Sequence, residues 1–321
     1  MGAKTKIKTK ASKEAARFSD DGKEAQTLRS PGENGNDFDI RMSEEADGML
    51  AAKKIVRILK EKGVCVIQAN APAEILMAAN SEADELWEEG SFAPPLRVYD
   101  DRSKVEAMIW QETLADEERV CFIRNAKEDD SATEKQSKQG LRLLMNNMID
   151  FGAGLGEGIA KELGVNFDRY GHAILSCYTG ERQYRLHLDN PHACDPERPT
   201  IPDNGLRLSM AYYINTHWDP SMSEENAGGL DVYLTDPKEV PASASAAKSA
   251  GKHRIAPHAD TLVLFLSERI AHQVVPTKTS DRWFCMTVWY IDGKAQAEAP
   301  KKLLQMQKEQ RRQDEGSDSD D

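Results

Sequence analysis

Hydrophobic positions follow a helical period in the first half of the chain and a two-residue period in the second. Between Ser43 and Lys62, Met49, Ala52, Val56 and Leu59 recur at helical spacing until Gly63. Val64 to Gln68 is a short apolar run of the kind that forms a buried strand. Pro72 suits the first turn of a second helix carrying Ile75, Leu76, Ala79, Leu86 and Trp87 and ending at Gly90. A long stripe follows: Leu141, Leu144, Met145, Met148, Phe151, Leu155 and Ile159. From Ala173 onward the pattern predicts eight strands, at about 173–179, 184–189, 207–215, 229–234, 253–257, 261–266, 271–275 and 283–291. Eight short strands with long polar connections predict an all-β core, a double-stranded β-helix (jelly roll) buttressed by the N-terminal helices.

The connecting stretches are read more coarsely. Residues 91–135 hold Pro94, Pro95, Arg97, Tyr99 and many charges, and only Ala107–Trp110 reads there as a strand. Gly152, Gly154, Gly156 and Gly158 invite a phosphate-loop reading, but no strand leads into them and position 157 is Glu, so they are read as loosened helix packing. Residues 1–42, which include Lys4, Lys6, Lys8, Lys10, Lys13 and Arg17, lack apolar periodicity and read as a disordered tail. That basic stretch is open to two readings, a solvated tail or a nuclear-import or docking signal. Residues 236–252, rich in Ala, Ser and Lys, read as a flexible insertion. The domain therefore spans 43–293, with helical support at 43–165 and the jelly roll at 172–292. Residues 294–321 complete the chain as a polar helix, about 300–313, and an acidic tail, 314–321.

Charge and cysteine content narrow the function classes. A net charge of −12 over 321 residues argues against a general nucleic-acid binder or a protein held to anionic membranes. The five Cys are odd in number and widely spaced, which suggests neither a disulfide framework nor a zinc knuckle. No run approaches the length of a membrane span, and the N-terminus lacks an apolar signal core. A cytoplasmic or nuclear location is expected.

Candidate chemistry sits in Tyr184–Asp189. Alternate strand side chains share a face, so His187 and Asp189 project together while Leu186 and Leu188 turn away. A polar strand face would look the same, and a third ligand is needed to tell the two apart. His272, on a later strand, supplies a candidate, and two His with one carboxylate form the facial triad of non-haem Fe(II) oxygenases. The other histidines, His172, His192, His217, His253 and His258, lack a carboxylate at strand spacing with a compatible third ligand and read as surface or loop residues. His192 is the nearest rival, but Pro191 places it in a turn.

Several ordered motifs point the same way. Cys177-Tyr178-Thr179-Gly180, the run from Tyr184 to His192, Tyr212-Tyr213-Ile214-Asn215 ahead of Trp218-Asp219, Gly228-Gly229 and Thr287-Val288-Trp289-Tyr290 resemble the 2-oxoglutarate- and Fe(II)-dependent prolyl 4-hydroxylases. Within that family the pattern is most similar to the hypoxia-inducible-factor prolyl hydroxylases, with fainter similarity back to about residue 50. The resemblance implies a dioxygenase that hydroxylates proline in a protein or peptide, with a role in oxygen sensing. Fe(II) would be held by His187, Asp189 and His272, 2-oxoglutarate and O₂ would be co-substrates, and ascorbate would serve as reductant. It further implies that Arg282 binds the distal carboxylate of 2-oxoglutarate, Tyr178 and Tyr213 offer hydroxyls to it, and Trp289 walls the pocket. A loop within residues 91–135 would cover the protein substrate.

Two departures from the family stand out. Arg282 and Trp289 are seven residues apart, an odd number, so a regular strand puts them on opposite faces unless a bulge intervenes. Without a bulge Arg282 is retained, because the co-substrate needs a cation. Asp231 stands where relatives have an apolar pocket residue, and either alters substrate choice or faces solvent. A related dioxygenase acting on another side chain or a small molecule, and an inactive jelly-roll binding module, are the competing readings. The intact triad counts against the second of these.

Overall fold

The structure, a computed structural model, describes residues 36–93, 119–125, 138–180, 184–193, 202–218, 227–234, 251–277 and 282–317. The expected Ala107–Trp110 strand, most of the 91–135 loop, the insertion up to residue 250 and the last four residues of the acidic tail lie outside this set, as do residues 1–35.

Three helices stack on one side of a sheet. Helix α1 (Gly48–Lys62) starts where the Asp47 carboxylate accepts from the Met49 amide at 2.8 Å, and stops at Gly63, whose φ of 78° closes the last turn. Its buried face is Ala51, Ile55, Val56, Ile58 and Leu59, with Met49 left 69% exposed. The stripe is thus turned from the expected one, because α1 has enough apolar residues to satisfy two neighbouring phases. Helix α2 (Ala73–Glu88) follows Pro72, and α3 (Gln139–Leu163) buries Leu141, Leu144, Met145, Met148, Leu155 and Ile159 as the spacing predicts. Gly152 and Gly158 of α3 mark close approach rather than loosened packing. A Cβ at Gly152 would collide with the Tyr290 ring, and one at Gly158 would lie 3.1 Å from Val56.

All eight expected strands form: β5 (Ala173–Tyr178), β6 (Tyr184–His187), β7 (Leu206–Tyr213), β8 (Ala227–Tyr233), β9 (Lys252–Ile255), β10 (Thr261–Leu266), β11 (Ala271–Thr277) and β12 (Trp283–Ile291). With β1 (Ile40–Arg41), β2 (Val64–Gln68) and β3 (Arg119–Ile123), β5, β7, β10 and β12 form the larger sheet, ordered β1-β2-β10-β7-β12-β5-β3. A short β4 (Arg169–Tyr170) adds to β12, and the second sheet is β6-β11-β8-β9. The period of two sorts the larger sheet cleanly. Phe284, Met286, Val288 and Tyr290 of β12 join Leu208, Met210 and Tyr212 of β7 against the helices. Trp283 and Cys285, with Ala211 and Tyr213, face the second sheet across an inner apolar layer that includes Leu230, Val232 and Val274. This is the two-sheet sandwich of a jelly roll.

At the N-terminal end the fold begins earlier than the expected boundary at 43. Phe38 and Ile40 are buried, β1 pairs in parallel with β2, and the Asn36 side chain donates to the Ala256 carbonyl at 3.0 Å. At the other end helix α4 (Gly293–Ser317) is longer than predicted and follows β12 directly, with the Asp292 carboxylate accepting from the Ala295 amide at 3.0 Å.

Candidate metal centre

Pairing of β11 with β6 decides the site. His272 and His187 are directly opposite each other in this antiparallel pair, and their rings lie 4.2 Å apart. The chain leaves β6 after His187, and Asp189 turns back so that its Oδ1 lies 3.3 Å from His187 Nε2 and 3.6 Å from His272 Nε2. One ligand atom from each residue falls within 4.8 Å of the others. Two atoms bound about 2.1 Å from one ion at a right angle are about 3 Å apart, so these three could share an ion with little adjustment. Two imidazole nitrogens and one carboxylate suit Fe(II).

Hydrogen bonds fix which atoms are free to bind. His272 Nδ1 lies 3.1 Å from the Ile270 carbonyl, which can only accept, so Nδ1 carries the proton and Nε2 keeps its lone pair for a metal. Asp189 Oδ2 accepts from the Ser209 hydroxyl and, at 2.9 Å, from Trp289 Nε1. Ser209 is itself 2.8 Å from the Ser267 hydroxyl. The carboxylate is therefore held by one oxygen and presents the other to the histidines. Burial opposes its ionisation, but the facing His272 and His187 and the Ser209 hydroxyl outweigh burial and hold the carboxyl below the usual carboxylate range. His272 is pushed down to about 4, by burial first and then by His187, which keeps it neutral and able to coordinate.

Of the other expected site residues, Tyr178 and Tyr213 are buried in the inner layer, beside Trp283. Trp289 also faces inward, though as a donor to Asp189 rather than as a wall alone. Arg282 is the correction. No bulge restores it, since β12 stays in register with its neighbours from Trp283 to Tyr290 and slips only between Tyr290 and Ile291. It lies toward α2, where its guanidinium donates to Asp84 Oδ1 at 3.1 Å and to Glu88 Oε1 at 2.7 Å. The inward tryptophan and the odd spacing cannot both leave Arg282 inside. Asp231 neither lines the inner layer nor faces solvent: it is 1% exposed on the outer face of the second sheet, paired with Arg254 and bonded by Gln273 at 3.1 Å. Burial raises its pKa, but Arg254 and Gln273 more than offset this and the carboxyl stays ionised below its ordinary range.

Sequence reasoning missed Ser209 and Ser267. Ser209 carried a signal, a polar residue in phase with Ala211 and Tyr213 on the strand face that begins at Arg207. His192, in the turn after Pro191, lies apart from the triad in a second acidic group with Asp203 and Glu268. The Arg207 guanidinium already occupies that group, 2.8 Å from Asp203 and 2.9 Å from Glu268.

Comparison with known proteins bears on this geometry. Residues 173–291 match the family model described as the 2OG-Fe(II) oxygenase superfamily. Prolyl hydroxylase EGLN3 of Mus musculus and of Homo sapiens are each 29% identical over 133 residues, 41% of this chain and 44% of theirs. The match thus spans less than half the length of these relatives. A prolyl hydroxylase from Trichoplax adhaerens, solved with a hypoxia-inducible-factor peptide fragment, superposes with a TM-score of 0.54 at 18% identity, covering 79% of this chain and 97% of that one. A prolyl-4-hydroxylase from Pseudomonas putida gives 0.51 at 18%, covering 75% and 98%. At that identity the two structures speak for the fold.

Proposed function

We propose, from the premise that residues 173–291 form a 2OG-Fe(II) oxygenase domain, that the chain hydroxylates a prolyl residue of a protein substrate. The reaction consumes O₂ and 2-oxoglutarate and yields succinate, CO₂ and the hydroxylated residue, one oxygen atom entering each of succinate and product. The observation that carries this reading is the convergence of His187, Asp189 and His272 from separate segments onto one small volume. Proline as the target rests on the likeness to the EGLN3 enzymes and on a structural relative solved with a peptide.

The residues have separable tasks. His187 and His272 would each offer a ring nitrogen and Asp189 one carboxylate oxygen to Fe(II), a donor set that would leave room for the co-substrate. Bound there, Fe(II) supplies the activation of O₂ that the protein's own side chains cannot perform. Ser209 and Trp289 hold Asp189 in position by its second oxygen. The apolar layer of Leu230, Val232 and Val274 keeps bulk water out of the space between the sheets.

The test is incubation of the protein with Fe(II), 2-oxoglutarate and a host-proteome peptide mixture. Mass spectrometry should find the gain of one oxygen on proline in a subset of peptides, with succinate formed in step. His187→Ala should abolish both. Oxygen gained on another residue type, or succinate formed at full rate without peptide, would replace the prolyl assignment by one of the competing substrates.

A further inference from the structure

The inward face of β12 carries Trp283 and Cys285 in the inner layer, and Trp289 against the metal centre. Trp283 is six residues from Trp289 on that face, at the end of the strand away from the triad. It is 4% exposed, its ring stacks on Tyr178 at a centroid distance of 4.5 Å, and Tyr213 lies 5.9 Å away. Its Nε1 is buried and has no hydrogen-bond partner. A buried donor left unpaired costs about 1–3 kcal/mol, and such a group invites a ligand that completes it. Gly228 of β8 places no side chain against that nitrogen, where a Cβ would lie 3.0 Å from Nε1 and 3.3 Å from the Val275 carbonyl oxygen.

β12 brings no cation to this place. Arg282 is engaged with Asp84 and Glu88 on the helix side, and Arg207, on the inward side of β7, is engaged with Asp203, Glu268 and Asp292.

We propose that Trp283, and not Arg282, forms the end of the 2-oxoglutarate pocket remote from the metal, its indole N–H donating to the distal carboxylate over Gly228. This rests on the reading above and specifies how the co-substrate is recognised. An indole N–H is a single neutral donor, whereas a guanidinium gives a carboxylate two charge-assisted bonds. A single neutral donor bonds a carboxylate oxygen more strongly than an amide oxygen, but with no cation to neutralise it the carboxylate also loses more hydration on burial, and the two effects oppose each other. The pocket therefore discriminates weakly between 2-oxoglutarate and its amide, 2-oxoglutaramate.

Calorimetric titration of the full-length, Mn(II)-loaded protein with the two 2-oxo acids tests this without turnover. In the unaltered protein 2-oxoglutaramate should bind within about tenfold of 2-oxoglutarate, and a larger preference for the dicarboxylate overturns the proposal. Trp283→Phe keeps the stacked ring and removes the N–H, and should weaken 2-oxoglutarate about tenfold, while Arg282→Gln should change it less than about twofold. The reverse pattern, Arg282→Gln weakening binding tenfold with Trp283→Phe unchanged, also overturns it. The analogue comparison decides the matter even if a variant fails to fold. Absence of any 2-oxo acid binding to a protein that holds Mn(II) would sink the oxygenase reading itself, and this proposal with it.

Discussion

Asp189 shows how a single carboxylate is held in a fixed orientation beside two histidines. Ser209 and Trp289 take up Oδ2, so rotation of the carboxylate away from the histidines would break two hydrogen bonds at once. Ser209→Ala removes one of them and leaves the fold's apolar packing intact. It should weaken Fe(II) or Mn(II) binding about tenfold, measured by metal titration, with a melting temperature of the metal-free protein close to that of the parent. His272 gives a second expectation. Its folded pKa of about 4 lies below the roughly 6.5 of an unfolded chain, so between those values the unfolded state takes up a proton that the folded state refuses. Its contribution to stability is complete above about pH 6.5 and lost as pH falls toward 4, by on the order of 3 kcal/mol. Melting of the metal-free protein followed from pH 7 to 4.5 should show this decline, and His272→Gln should flatten part of it.

Among the elements, α3 is the clearest case of sequence and packing disagreeing about the same residues. Gly152, Gly154, Gly156 and Gly158 look alike in the sequence, yet only some face a neighbour. Gly152 lies under the Tyr290 ring, whose hydroxyl donates to the Met148 carbonyl at 3.2 Å, so the helix and β12 are locked at close range. Gly152→Ala should cost about 1–3 kcal/mol by forcing that ring aside. Gly154 has nothing within 4 Å and is exposed, so Gly154→Ala should gain about 0.5–1 kcal/mol from helix propensity. Denaturant unfolding of both variants checks the opposite signs. The strands were easier to read than the helix faces, because a period of two over a buried sheet leaves only one consistent phase. β3 went unread because it lies at the edge of a sheet that only the tertiary fold assembles.

For the molecule as a whole, the N-terminal segment ties the two sheets' surroundings together. Asn36 bonds to Ala256 and Thr261, Phe38 is buried in the inner layer and Ile40 in the layer against the helices. A chain starting at residue 36 should melt close to the parent, whereas one starting at residue 43 should lose about 3 kcal/mol or more, since two large apolar side chains leave the core. Circular dichroism melts of the two truncations distinguish these outcomes.

The amino-acid sequence by itself determined the order of the main helices, the eight strands of the jelly roll and the three candidate metal-binding side chains, because hydrophobic period and side-chain chemistry are local properties. It placed His187 and Asp189 together through their spacing. What it could not decide was the opposition of His187 and His272 in one strand pair, the grip of Ser209 on Asp189, and the side on which Arg282 emerges. These depend on register between strands distant along the chain, and on the absence of a bulge in β12, which no local pattern encodes.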